Sequence, residues 1–191
     1  MPLHMPLTVT LTSLLFIIYY ISESIIFHRK RADAQFENKD RDSLRSLRTV
    51  IGTCYISGAL VVFYVPQARS DLLVPLYAAG LGLFVCGSLL RWYSVHYLGK
   101  YFTVEVAIAR DHAVIDSGPY RLIRHPSYSG LFMIWLGMGI CTTNLLTLFL
   151  LVIPTGIVLM RRIAIEESAL SDLPGYTDYM KRTKRLIPYI Y

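Results

Sequence analysis

The sequence predicts an all-α, polytopic membrane protein with about five transmembrane helices, the last two forming a hairpin. Three observations carry this. Of 191 residues, 54% are hydrophobic and 17% charged, with a mean hydropathy of +0.45, which is a membrane composition. The apolar residues are grouped: residues 7–27 contain one acid, and 50–67, 72–90 and 131–160 contain no charged residue. The basic residues fall between these runs, and almost all of them on one side.

Each element follows from its run. A helix needs ~20 apolar residues to cross the hydrocarbon core, so 7–27 and 72–95 are full spans, and 50–67, at 18 residues, is a short one. The first run reads as a retained span and not as a cleaved signal peptide. The basic cluster "HRKR" follows the run, no small-residue cleavage site appears, and the run exceeds an h-region in length. The last run, at 30 residues, is too long for one ordinary helix and is broken by "CTTN" at 141–144. It therefore reads as two antiparallel helices, 130–141 and 145–162.

Lysine and arginine set the orientation. Residues 28–49 carry seven, 91–130 carry five and 161–191 carry six, whereas the loop around 66–71 carries only Arg69. The basic side is expected to be cytoplasmic, with the N-terminus outside and the C-terminus inside. The formal charge of +6 and pI near 9.3 then follow from topology and from attraction to anionic headgroups, and they give no argument for a nucleic-acid partner. Cys54, Cys86 and Cys141 lie in or beside apolar runs without a CxxC pair and read as packing residues. His4, His28, His96, His112 and His125 form no HxxxH or HExxH pair, so no metal site is expected. "GLGLFVCG" at 80–87 has the wrong spacing for a nucleotide loop. Inside a membrane helix its small residues serve close helix approach.

Two polar islands remain, 91–130 and 161–188, each adjoining the end of a membrane helix, with about 98–129 and 162–188 expected to form a cytoplasmic binding region. In "RHPSY" proline suits the first helical position, making His125 the N-cap and placing Ser127 and Tyr128 in the first turn. Such a terminus attracts anions; equally, these residues suit a plain helix start within an interfacial aromatic belt. In the second island Arg161, Arg162, Glu166 and Glu167 end the last apolar helix, and Arg162 and Glu166, four apart, share a helical face. They form either a solvated ion pair or, beside His125 and Tyr128, half of a composite site. "GYTDYMKRTKRLIP" at 175–188 reads as an amphipathic segment on the headgroups.

The order GPYRxxRHPSYxG, an apolar hairpin, RxxxEE, then LPGYxxYxxRTxRLIP resembles the isoprenylcysteine carboxyl methyltransferase family of integral membrane enzymes, in particular its small prokaryotic-type members. The resemblance runs from about Leu98 to Pro188. It implies a single membrane methyltransferase domain over 1–191, in a bacterial or archaeal cell membrane, that uses S-adenosyl-L-methionine to methylate a carboxylate, in the family that of a C-terminal prenylated cysteine. It further implies that the cofactor is held by a strand-like segment His112, Ala113, Val114 and Ile115, by Tyr120, by His125, Pro126, Ser127 and Tyr128, by Glu166, and by Glu105 seven positions before His112. Arg162 is implied to face the methyl acceptor, with Arg162 and Glu166 as the catalytic pair.

An ionised carboxylate needs no general base, and the sequence offers no convincing catalytic dyad. An amine or hydroxyl acceptor, including a phospholipid, would require Glu166 or Glu167 as a base. Partners are expected to be the bilayer and an amphiphilic, prenylated small molecule or peptide. Rival readings are an NADPH-dependent membrane sterol or lipid reductase, with a similar RHPxY and tyrosine-rich C-terminal pattern, and a membrane scaffold whose polar islands serve only topology.

Overall fold

The structure is a computed structural model describing residues 4–30, 37–40, 42–65, 73–108 and 113–191. Five long helices dominate it: α1 His4–Arg29, α2 Asp42–Tyr64, α3 Leu73–Leu98, α4 Pro126–Cys141 and α5 Leu145–Leu170, followed by a short α6, Tyr176–Arg182. Among the described residues four stretches are long and apolar enough to cross a membrane, Thr10–Arg29, Asp42–Tyr64, Val74–Tyr101 and Leu145–Leu170.

The fourth of the five expected spans is shorter than the others. At 16 residues, α4 rises ~24 Å, below the ~30 Å of a hydrocarbon core. It tolerates this because protein encloses it: Leu131, Ile134, Trp135, Met138 and Cys141 are each at most 3% exposed. The other helices extend beyond their apolar runs. α2 begins at Asp42, eight residues before the uncharged run, because Leu47 continues the buried stripe of Ile51 and Cys54. α5 runs past 162 to Leu170 as one helix.

The chain is not purely helical. Two short strands, β1 Glu37–Asp40 and β2 Val106–Ile108, pair antiparallel, with Glu37 opposite Ile108 and a register shift between Asn38 and Asp40. The strand-like segment expected at 112–115 is displaced from this position. Ala113, Val114 and Ile115 have no regular structure, and His112 lies outside the described residues.

Glycines set how the helices meet. A Cβ on Gly87 would lie 2.6 Å from the Gly130 carbonyl oxygen, and one on Gly80 2.6 Å from that of Gly137. The antiparallel α3 and α4 thus touch backbone to backbone at two points seven residues apart, as small-residue membrane interfaces do. The 142–144 turn closes the α4–α5 hairpin. Asn144 caps α5 by accepting from the Thr147 amide at 3.0 Å, and its Nδ2 donates to the Val65 carbonyl at 3.1 Å, tying the turn to the end of α2. Cys54, Cys86 and Cys141 are free thiols.

Candidate active site

Alternating helix directions bring five helix ends together at one end of the bundle: the last turns of α1, α3 and α5 and the first turns of α2 and α4. Arg91, Arg124, Arg162, Glu166 and Glu167 converge there. Arg162, 3% exposed, donates from Nε to the Tyr128 hydroxyl at 2.8 Å, from Nη1 to Ser43 Oγ at 2.7 Å, and from Nη2 to the Val104 carbonyl. Tyr128 in turn donates to Oε2 of Glu166 at 2.7 Å. The phenol therefore links the two residues that helical spacing puts on one face of α5. Three arms of the guanidinium bind α4, α2 and the 102–105 segment, so that among the described residues three of its five N–H groups are engaged.

Glu167, ~100° further round the helix, faces a different set. It accepts from Arg124 Nε at 2.8 Å and Arg185 Nε at 2.9 Å, with His125 Nε2 at 3.2 Å. Arg124 also donates to the Met180 carbonyl at 3.1 Å. A C-terminal strap completes this region: the amides of Arg124 and His125 donate to the carbonyls of Lys184 and Arg185 at 2.7 and 3.0 Å, and Ser129 Oγ to that of Leu186 at 2.7 Å. A carboxylate buried among two guanidinium groups has the compensation that burial demands. The strap thereby fixes where α4 starts.

A third cluster spans α1, α3 and α4. Arg91 donates from Nε and Nη2 to both carboxylate oxygens of Glu23, the second at 2.7 Å, and from Nη1 to Ser127 Oγ at 2.7 Å. This is a bidentate pair of the strong kind.

Two cavities adjoin at this level, with Phe102 and Thr103 in the wall of both. The smaller, about 80 Å³, lies between the 98–106 segment, residues 113–115, α5 and α6, and is lined by two acids, Glu105 and Glu166, and by the rings of Tyr101, Phe102, Tyr120, Tyr176 and Tyr179. Burial, with Glu166 as the next cause, raises the Tyr120 phenol far above its ordinary value, and burial likewise raises Tyr176 and Tyr179. These rings are neutral hydrogen-bond donors: Tyr120 donates to the Ser94 carbonyl at 3.2 Å, and Tyr179 to that of Tyr120 at 2.5 Å. The larger cavity, about 440 Å³, lies among all five long helices. Its polar end carries Arg48, Arg91, Arg162, Glu23 and Tyr128, and its far end is lined by Phe16, Tyr19, Leu47 and Ile51.

The sequence-derived candidates divide between these places. Glu105, Ala113, Val114, Ile115, Tyr120 and Glu166 line the smaller cavity, and Arg162 and Tyr128 the larger. His125, Pro126 and Ser127 line neither. His125 is the N-cap of α4, as its place before proline implied, but its side chain caps nothing and turns to Glu167. Pro126 is buried at the first helical position, and the Ser127 hydroxyl is taken by Arg91. Sequence reasoning missed Glu23, Arg48, Arg91, Arg124 and Arg185. A signal for two of them was present: Glu23 is the single acid of the first apolar run, and Arg91 follows directly on an uncharged one. Ionisable residues at such positions need partners.

Comparison with known proteins finds similarity to isoprenylcysteine carboxyl methyltransferases. The family model for isoprenylcysteine carboxyl methyltransferases matches residues 80–172. Protein-S-isoprenylcysteine O-methyltransferase B of Arabidopsis thaliana is 30% identical over 116 residues, 58% of this chain and 58% of that protein. The protein-S-isoprenylcysteine O-methyltransferase of Tribolium castaneum is 33% identical over 118 residues, 59% of this chain and 42% of that one. The chain thus aligns with only about half the length of these relatives. Among solved structures, the eukaryotic intramembrane Ras methyltransferase ICMT superposes with a TM-score of 0.62 at 26% identity, covering 75% of this chain and 52% of that one. These relatives are eukaryotic, so they lend no support to a prokaryotic-type assignment, and none of them points to a reductase.

Proposed function

We propose that this chain, whose residues 80–172 match the family model for isoprenylcysteine carboxyl methyltransferases, is a single-domain membrane enzyme that moves a methyl group from S-adenosyl-L-methionine to the carboxylate of an amphiphilic, isoprenylcysteine-like acceptor, giving a methyl ester. One observation carries the reading. A cleft of acids and aromatic rings adjoins a larger chamber that is cationic at one end and apolar at the other, and Tyr128 joins the Arg162 of one to the Glu166 of the other.

The donor set of the smaller cleft suits this cofactor. Carboxylates of Glu105 and Glu166 favour its ammonium and sulfonium, aromatic faces attract cations, and Leu98, Leu170 and Leu173 offer an apolar wall for a purine. At about 80 Å³ the cleft is below the ~300 Å³ at which small-molecule sites begin, so loading requires its walls to part. When bound, the cofactor supplies an electrophilic methyl group.

The remaining work falls to the chain. An acceptor carboxylate, with a pKa near ~3.5, is ionised at neutral pH and needs no base, so the residues bind, orient and exclude water. Arg162 lines the chamber's polar end with two N–H groups that bond no other described residue. Arg48, whose guanidinium lies 4.0 Å over the Phe27 ring, adds a second cation there. The Glu23–Arg91 pair neutralises itself, so an anion is favoured. Eighteen of nineteen basic residues support a cytoplasmic placement of this end, with the N-terminus outside and the C-terminus inside.

The test is transfer of labelled methyl from S-adenosyl-L-methionine to N-acetyl-S-farnesylcysteine by the detergent-purified protein, with NADPH binding measured in parallel. Base-labile methyl ester is expected, with no NADPH binding. NADPH binding without methyl transfer overturns the reading.

A further inference from the structure

Beyond the larger chamber, the same helices enclose a second void. The chamber is lined on α1 by residues from Phe16 to His28 and on α2 by residues from Leu44 to Gly52. The further cavity, about 40 Å³, is lined on α1 by Thr12 and Ser13, on α2 by Tyr55, Gly58, Ala59 and Val62, and on α4, the hairpin turn and α5 by Met138, Thr142, Thr147 and Leu151. No described lining residue is shared, and along α1 and α2 one set begins where the other ends. The two voids are stacked end to end down the bundle.

What separates them is a layer of rings. Phe16 of α1 and Tyr55 of α2 stack with centroids 3.5 Å apart and planes 10° from parallel. Trp135 of α4 meets Phe16 at 6.4 Å and Tyr19 at 5.1 Å, edge to face. Phe16 faces the chamber and Tyr55 the cavity beyond. The further cavity suits apolar matter despite its hydroxyls, because these are satisfied locally: Thr147 Oγ1 donates to the Gly58 carbonyl at 3.2 Å and Thr142 Oγ1 to that of Gly139 at 2.6 Å.

We infer that the Phe16–Tyr55 stack is a floor that limits the length of apolar tail the acceptor chamber accepts, and that the cavity below is space a longer tail would fill if the floor were removed. The inference rests on the methyltransferase reading for the head-up orientation of the tail. With the carboxylate among the guanidinium groups at one end, the tail runs along α1 toward Phe16, ~18 Å at 1.5 Å per residue over the twelve residues from His28. Both rings lie outside residues 80–172, so tail selection is assigned to this chain's own N-terminal half.

The test compares N-acetyl-S-geranyl-, S-farnesyl- and S-geranylgeranylcysteine as acceptors for wild type, Phe16→Ala and Tyr55→Ala. One methylene in an apolar pocket is worth about tenfold or more in kcat/KM, so the geranylgeranyl-to-farnesyl ratio is expected to rise at least about tenfold in either variant. Refilling the lower cavity with Ala59→Phe in the Tyr55→Ala background is expected to restore the wild-type ratio, which a general loosening of the core would not do. Phe16→Leu and Tyr55→Leu serve if the alanine variants do not fold. Binding of the same three ligands is followed by the fluorescence of Trp135 in a Trp92→Phe protein, which holds a single tryptophan. If wild type methylates none of the acceptors, the methyltransferase reading fails, and the binding ratios still decide on the floor. An unchanged ratio in folded variants overturns the floor.

Discussion

Arg162 on α5 donates from Nε to the phenol oxygen of Tyr128 on α4 at 2.8 Å. The same phenol donates to Glu166 at 2.7 Å, so one hydroxyl orients a cation at the chamber and an anion at the cleft. Tyr128→Phe keeps the ring and removes both bonds. Turnover is expected to fall about 10–100-fold, since displacement by ~1 Å can cost a hundredfold, and cofactor affinity should weaken because Glu166 loses its orienting donor. Labelled methyl transfer and a cofactor titration in detergent check this. If both are unchanged, the hydroxyl has no role beyond packing.

Arg162→Lys retains the charge and loses the planar fork. Since that fork ties α5 to Tyr128, Ser43 and the Val104 carbonyl, the variant is expected to melt earlier and to lose at least about tenfold in turnover, with a smaller change in cofactor affinity. Glu166→Gln should show the reverse order, with cofactor affinity falling first. A defect of Arg162→Lys confined to cofactor affinity would contradict this division of roles.

The tyrosines of the cleft give a pH dependence of known sign. Tyr120 and Tyr179 titrate above the ordinary phenol value when folded, chiefly because they are buried, whereas in the unfolded chain they titrate near ~10. The folded state therefore holds protons that the unfolded state releases. Their contribution is complete below pH ~10 and is lost as pH rises from there through the folded value. Thermal unfolding scanned upward from neutral pH should show a loss of stability beginning near pH ~10, diminished in Tyr179→Phe. A wild-type profile flat through that range would contradict it.

Much of this arrangement is legible from hydropathy and turn chemistry. Uncharged runs mark α2, α3 and the hairpin, "CTTN" marks its turn, and proline after His125 marks the start of α4. What escapes is set by tertiary partners. Leu47 gains its buried place only from helices around it, so the polar stretch from Asp42 reads as loop until α2 is packed. β1 and β2 pair residues some seventy positions apart, which no local pattern shows. RxxxEE supplies two acids, but the ~100° step between neighbours decides that Glu166 meets Tyr128 while Glu167 meets Arg124 and Arg185. Ser127 looks free to bind a ligand until Arg91 is seen to hold it.

Glu23 and Arg91 provide the sharpest case of such a partnership. The side chain of Arg91 is 7% exposed and that of Glu23 23%, and both sit in helices that read as membrane spans. Removing one partner strands the other charge, which costs ~3–5 kcal/mol for a fully buried pair; the partial exposure of Glu23 to the chamber places this one toward the lower end. Glu23→Leu is therefore expected to lower the melting temperature sharply or to prevent folding. Replacing both, as Glu23→Leu with Arg91→Met, removes the stranded charge together with its partner and should recover most of the stability. Methyl transfer should not recover with it, because Ser127 loses its donor at 2.7 Å and the first turn of α4, which carries Tyr128, loses its tie to α3. Thermal unfolding and turnover measured on the three proteins separate the two effects. A stable Glu23→Leu would mean that Arg91 finds compensation elsewhere, and a fully active double variant would remove Arg91 from the positioning of the site.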